Sequence, residues 1–216
     1  MAPYTPLPFS QLRLDIANDL RDPTFKTFTI GQIDDLVNEG IAELNRLRPL
    51  EAIEELTLVE DGRSYPTSMQ QVFLVEGKRA GDVAWWPIAE SDYAAGVGSQ
   101  GGWTLFAGTI ALPGSMTPLD PATDYIRVWG YRDRDPLKLD GDVPEFIDSS
   151  DEEAVRAYAR YTALEMLLHE RTLYQQWQTQ SNNSDISTTQ LLQSASSYQR
   201  EWATLRKRLV RLRRVA

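Results

Sequence analysis

The sequence predicts an α+β protein: a helical bundle of about four helices with a small antiparallel β-domain inserted into it. Two observations predict this. In the first and last thirds of the 216 residues, apolar side chains recur every three or four positions, the period of one helix face. In the middle, short β-branched and aromatic runs alternate with glycine-rich breaks, and the glycines concentrate between residues 62 and 130.

The first helix is read from Phe9, Leu12, Ile16 and Leu20. It is expected to end at Asp22-Pro23, because a residue before proline is pushed out of the α region. The second starts at Thr29, where Thr29-Ile30-Gly31-Gln32 forms a capping box. Ile33, Val37, Ile41, Leu44 and Leu47 then line one face, with Pro49 just beyond it.

Strands are expected at Leu56-Thr57-Leu58-Val59, at Gln71 to Glu76, at Val83 to Ile88, at Trp103 to Leu112 and at Tyr125 to Trp129. Asp61-Gly62 reads as a hairpin turn. A sheet of about four to six strands is of ordinary size. Trp85, Trp86, Trp103 and Trp129 concentrate here. A region this small rarely buries four tryptophans completely, so these are candidate subunit-interface aromatics, with core packing as the alternative for each.

The third helix is placed from Ser150, capped with Glu153, to about Trp177. The last begins near residue 187. Leu191, Ala195, Tyr198, Trp202, Leu205, Leu209 and Leu212 form a heptad seam, which must be buried on another helix, here the Ser150 and Thr29 helices. The expected domain ranges are 1–53 and 148–216 for the bundle and 54–147 for the insertion.

Composition excludes several chemistries. With no cysteine there is no disulfide, thiolate metal site or cysteine nucleophile. No apolar run approaches the roughly 20 residues that span a bilayer, and Met1 to Phe9 lacks the pattern of a signal peptide. Gly96-Val97-Gly98-Ser99-Gln100-Gly101 matches a dinucleotide fingerprint, but Trp103-Thr104-Leu105-Phe106 behind it reads as a strand where a helix N-terminus is needed. His169 is the single histidine, and Leu173 stands where an H-E-x-x-H zinc motif needs its second ligand, so His169 is expected to pack on a helix face. The acidic stretch Asp133, Asp135, Asp140 and Asp142 fails the EF-hand spacing. Asn182-Asn183-Ser184 matches a glycosylation sequon without a secretion signal. No catalytic site, cofactor or metal is expected.

Charge is distributed unevenly. Seven basic residues and one acid lie between Arg200 and Ala216, a local charge of +6, so the other 199 residues carry −15 of the total −9. The tail Arg206, Lys207, Arg208, Leu209, Arg211, Leu212, Arg213, Arg214 has three readings: DNA phosphates, a protein partner, or a solvated helix face. The acidic body would repel a duplex, which favours protein docking, including on a neighbouring copy.

The short helix Gln11-Leu12-Arg13-Leu14-Asp15-Ile16 and the stretch from Thr27-Phe28-Thr29-Ile30-Gly31-Gln32 through Asp34-Asp35-Leu36-Val37-Asn38-Glu39-Gly40 to Leu44 carry a resemblance. So do the β-opening at Leu56-Thr57-Leu58-Val59 and the helical pair after Val143-Pro144-Glu145-Phe146. Together they resemble the head-to-tail connector adaptor, or neck protein, family of tailed bacteriophages. The resemblance implies a non-catalytic virion neck protein, assembled in the host bacterial cytoplasm into a ring on the order of twelve copies. It implies the portal protein as partner on one side, through the C-terminal arm, and a stopper or tail-completion protein on the other. Genomic DNA would pass through the lumen without sequence-specific binding, and no membrane would be involved. The alternatives are another phage structural part, such as a tail-completion protein, or a carboxylate-dependent enzyme, which would need a concave pocket with strongly shifted acids.

Overall fold

The computed structural model describes residues 4–60, 62–90, 102–113, 117, 119–180 and 183–213. The chain divides into two compact units, Met1–Pro49 with Arg134–Ala216, and Leu50–Asp133. The first is helical and the second is the β-insertion, so the fold is α+β. The divisions fall at Pro49/Leu50 and Asp133/Arg134 instead of after residues 53 and 147. The first strand begins directly behind Pro49, and the stretch 134–147 packs with the helices.

Five helices are described where about four were expected: α1 (Phe9–Asp19), α2 (Ile30–Leu47), α3 (Ser149–His169), α4 (Arg171–Gln180) and α5 (Thr188–Arg213). Helix α3 is the hub, with α5 and α2 packed along it and α1 and α4 completing the unit. The predicted faces of α1 and α2 are the buried ones. Both halves of the Thr29–Gln32 capping box form. Gly40 lets α2 approach α3 closely, because a Cβ there would lie 3.2 Å from both the side chain and the carbonyl oxygen of Val155.

Between α1 and α2, Arg21 and Phe25 hold positive φ of 57° and 52°. Left-handed backbone costs a non-glycine residue about 1–2 kcal/mol. The buried Asp22 carboxylate offsets this by accepting from the N–H groups of Lys26, Thr27 and Phe28 at 2.9–3.0 Å.

Two expectations for α3 are corrected. Its N-cap is Asp148, which accepts from Ser150 N–H at 2.8 Å, and not Ser150. The helix also does not run on to Trp177. It breaks at Glu170, which is extended (φ −108°, ψ 97°), and α4 starts anew. The redirected α4 buries Leu173 and Trp177, and the Trp177 indole donates to Leu20 O at 2.8 Å, closing the end of α1. His169, at the break, is exposed and not packed on a helix face. Asn183 of the sequon is buried and donates to Arg21 O at 3.2 Å, while Asn182 lies outside the described residues.

A buried ionic cluster ties the ends of α2 and α3 to the returning chain. Asp151 accepts from Arg134 Nη2 and Arg48 Nη1, each at 3.0 Å, and from Ile147 N–H at 2.8 Å. Asn38 and Asn45, one heptad apart on α2, grip the backbone of the same returning segment. Each amide accepts from one residue's N–H and donates to its carbonyl: Asn38 with Leu137 (2.8 and 3.0 Å), Asn45 with Arg134 (3.0 and 3.2 Å). Two helix side chains thus do for 134–137 what a neighbouring strand would do.

The β-unit has seven described strands, against four to six expected: β1 (Leu50–Leu56), β2 (Ser64–Pro66), β3 (Gln71–Lys78), β4 (Trp86–Ile88), β5 (Thr104–Phe106), β6 (Thr109–Ala111) and β7 (Tyr125–Arg132). They form two antiparallel sheets, ordered β1-β7-β3-β4 and β2-β6-β5. Tyr65 and Ile110 of the small sheet share one core with Val75, Ile126 and Val128 of the large one. The strand expected at Leu56–Val59 lies earlier, at Leu50–Leu56. Gly62 follows a turn, but β1 pairs with β7 and β2 with β6, so no hairpin forms there; Asp61 lies outside the described residues. The run from Trp103 to Leu112 is a hairpin, turned at Ala107 and Gly108, whose φ of 48° and 73° match a two-residue turn with both positions left-handed.

Candidate interaction surfaces

Helix α5 is amphipathic by construction. Leu191, Ala195, Trp202, Leu205 and Leu209 turn into the bundle core, and Tyr198 is half-buried against it. Arg200, Arg206, Lys207 and Arg208 stand on the exposed side. Leu209, expected among the docking residues, is instead 0% exposed and belongs to the core. The heptad seam runs through it, so the helix is committed to the bundle at least to that point. Arg211, Leu212 and Arg213 continue the helical backbone, and Arg214, Val215 and Ala216 lie outside the described residues.

Along the seam between α3 and α5 runs an open groove of about 630 Å³. Tyr161, Trp202, Ala203 and Val210 give it an apolar floor, and Gln199, Arg206 and Lys207 rim it. None of these lining residues is a carboxylate. A second groove of about 530 Å³, near the start of α5, is polar and mixed in charge, lined among others by Asp19, Arg21, Asp185 and Gln190.

On the helical unit the returning segment 134–148 has no helix or strand, turns at Leu139–Asp142 and exposes large apolar side chains. Leu139 is 69% exposed, Val143 53% and Ile147 46%. The segment is nonetheless fixed. Its carbonyls at Asp142 and Asp140 accept from Phe9 and Ser10 N–H at 2.8 and 3.2 Å, satisfying the open N-terminus of α1. Arg13 donates to Asp140 at 2.8 Å, and Asp142 accepts from Lys138 and Leu139 N–H at 2.7 and 2.8 Å. Asp140 and Asp142 of the acidic stretch therefore cap and anchor backbone. No group of three metal-ligating side chains occurs among the described residues.

On the β-unit, strand β7 lifts Tyr125, Arg127, Trp129 and Tyr131 to the outer face while Ile126 and Val128 fill the core. Arg127 lies over the rings of Trp85 (4.2 Å) and Trp129 (5.2 Å) and pairs with Glu76 at 2.5 Å, to which the Trp129 indole also donates at 2.7 Å. Trp86 lies under Arg79 and donates to Asp82 at 3.0 Å. Trp85, Trp86 and Trp129 are half-buried; Trp103 is in the core and offers no surface. Phe73, its ring tilted 56° against that of Tyr131 with centroids 5.6 Å apart, and Ile53 extend the outer face. Alternation of β7 could have flagged this face in the sequence; that Trp85 joins it could not be read there. The Gly96–Gly101 loop lies outside the described residues.

The hydrogen bond from Arg127, working against burial and joined by that from Trp129, holds the Glu76 pKa below its ordinary 4.5. The unfolded chain therefore takes up this proton more readily than the folded one. The stability Glu76 contributes is present above pH 4.5 and is lost as pH falls through the lower native value. Glu76→Gln is expected to cost about 1–3 kcal/mol at neutral pH and to flatten this acid-side loss, followed by tryptophan fluorescence during urea unfolding. An unchanged acid profile would show that the cluster is not coupled to folding. Asp124, Asp142 and Asp148 are displaced in the same direction as Glu76. All four are thus acids held ionised, the opposite of what a proton-donating catalytic carboxyl requires.

Among the described residues no helix is long and apolar enough to cross a membrane. A family model, that of the SU10 adaptor protein, matches residues 7–214. No curated protein matches the chain.

Proposed function

The chain belongs to the SU10 adaptor protein family, of the phage head-to-tail connector type, and we propose that it forms a homo-oligomeric ring between the portal and the stopper or tail. Membership makes it a phage structural adaptor, a component of the virion that meets other phage structural proteins. In the proposed ring, on the order of twelve copies surround a lumen through which genomic DNA passes without being read. Its work is mechanical joining, without catalysis or cofactor. The observation that carries this reading is the extent of the family match, which takes in both the helical unit and the β-insertion.

The portal contact is assigned to the C-terminal end: Arg208 together with Arg211, Arg213 and Arg214. Arginine suits this role because its planar fork pairs bidentately with carboxylates. Leu209 is removed from the arm by its burial, which leaves the exposed Arg208 and the residues after Val210. A chain cut after Lys207 would lose a core residue, so the informative variant keeps the helix and reverses charge. Arg208, Arg211, Arg213 and Arg214 replaced together by glutamate are expected to leave folding intact and to lower joining to portal-containing heads at least about tenfold. Each exposed pair contributes little, but symmetric copies multiply it. Normal joining by that variant, scored by electron microscopy of heads, would move the portal contact elsewhere.

A further inference from the structure

The groove and the returning segment are both exposed on the helical unit, and they match in two independent respects. The groove has an apolar floor, Trp202, Ala203 and Val210, under a cationic rim, Arg206 and Lys207. The segment presents exposed apolar Leu139 and Val143 among Asp135, Asp140 and Asp142. Arg206 and Lys207 pair with no carboxylate among the described residues, and Asp135 with no cation. An exposed leucine alone means little, but two large apolar side chains on a backbone pinned by Asn38 and by the N-terminus of α1 form a pre-ordered knob. Little further ordering entropy stands against its insertion.

We infer that the α3–α5 groove of one copy receives the Asp135–Val143 segment of a second copy of this chain. This rests on the ring reading above. Leu139 and Val143 sit on Trp202 and Val210, and Asp135 and Asp140 face Lys207 and Arg206. Knob and groove are different surfaces of one chain, so the contact is head-to-tail. Repeated by a rotation that closes, it makes a ring, whereas a contact of one patch with itself would stop at a dimer.

The absence of cysteine makes the test unambiguous. The full chain carrying Leu139→Cys and Ala203→Cys is oxidised under conditions where it assembles, then run on a denaturing gel with and without reductant. The expected result is a reducible ladder of covalent multimers beyond the dimer, absent from either single variant. Assembled oligomers with no ladder would overturn the inference and leave the ring reading standing. A link confined to the monomer, or dimers from a single variant, would also overturn it. A chain that stays monomeric in solution would remove both readings. A second measurement does not depend on the cysteines. Lys207→Glu is expected to weaken assembly about tenfold, and Asp135→Lys in the same chain to restore it, since like charges facing across an interface are repulsive and a swap recovers the pairing. Failure of the swap to rescue would count against the docking as stated.

Discussion

Replacing Asp151 with alanine is expected to lower the stability of the helical unit by about 3–5 kcal/mol, read as a fall in the guanidinium unfolding midpoint. The Asp151 side chain is 0% exposed, and that of its partner Arg134 is 1% exposed. Removing the carboxylate strands the Arg134 guanidinium in a site where burial already depresses its pKa and the attraction of Asp151 opposes that depression. It also releases Arg48 and the N–H of Ile147. The size of the effect comes from the uncompensated charge and not from the net worth of the pair. A double replacement, Arg134→Met with Asp151→Leu, should therefore recover most of the loss. A midpoint unchanged by Asp151→Ala would show that water reaches the cluster freely and that the three segments are held by apolar packing alone.

Trp202→Ala is expected to cost a similar amount, about 3–5 kcal/mol, for a different reason. Trp202 is 9% exposed and meets Tyr158 edge-on with ring centroids 5.4 Å apart. Truncation opens a cavity on the seam that holds α5 to α3, and the long helices on either side cannot collapse into it. Trp202→Phe should lose much less, because an aromatic edge contact remains. Equal unfolding midpoints for Trp202→Ala and the natural chain would mean that α5 is dispensable for the fold. Since Trp202 also floors the groove, Trp202→Phe is the variant in which assembly can be compared without unfolding.

Much of the helical unit was written locally. Phe9, Leu12, Ile16 and Leu20 lie on one side of a helix whatever surrounds them, and all four are buried. The same holds for Leu191, Ala195, Trp202, Leu205 and Leu209 of the seam, with Tyr198 half-buried between them. The capping box at Thr29 needs residues only three apart, and it forms as read. These features depend on the pitch of the helix and on neighbours within a turn, so the order of residues specifies them.

Tertiary structure decided the rest. Leu50–Leu56 pairs with residues 70 to 82 positions further along, and nothing local marks Ile53 as the partner of Trp129. Trp103 and Trp129 are equally apolar, yet Trp103, just before β5, is in the core while Trp129, on β7, stands half out beside Arg127. By local sequence Asp151 is only an acid in the first turn of a helix, where the dipole favours it. It became the centre of an ionic cluster because Arg48 and Arg134, far apart in the chain, arrive on either side of it. The break at Glu170 has no proline or glycine to announce it. It redirects the chain so that Trp177 reaches back to Leu20. The residues so decided are polar or amphipathic: their place depends on a partner brought in by the chain's return, which spacing along the sequence does not encode.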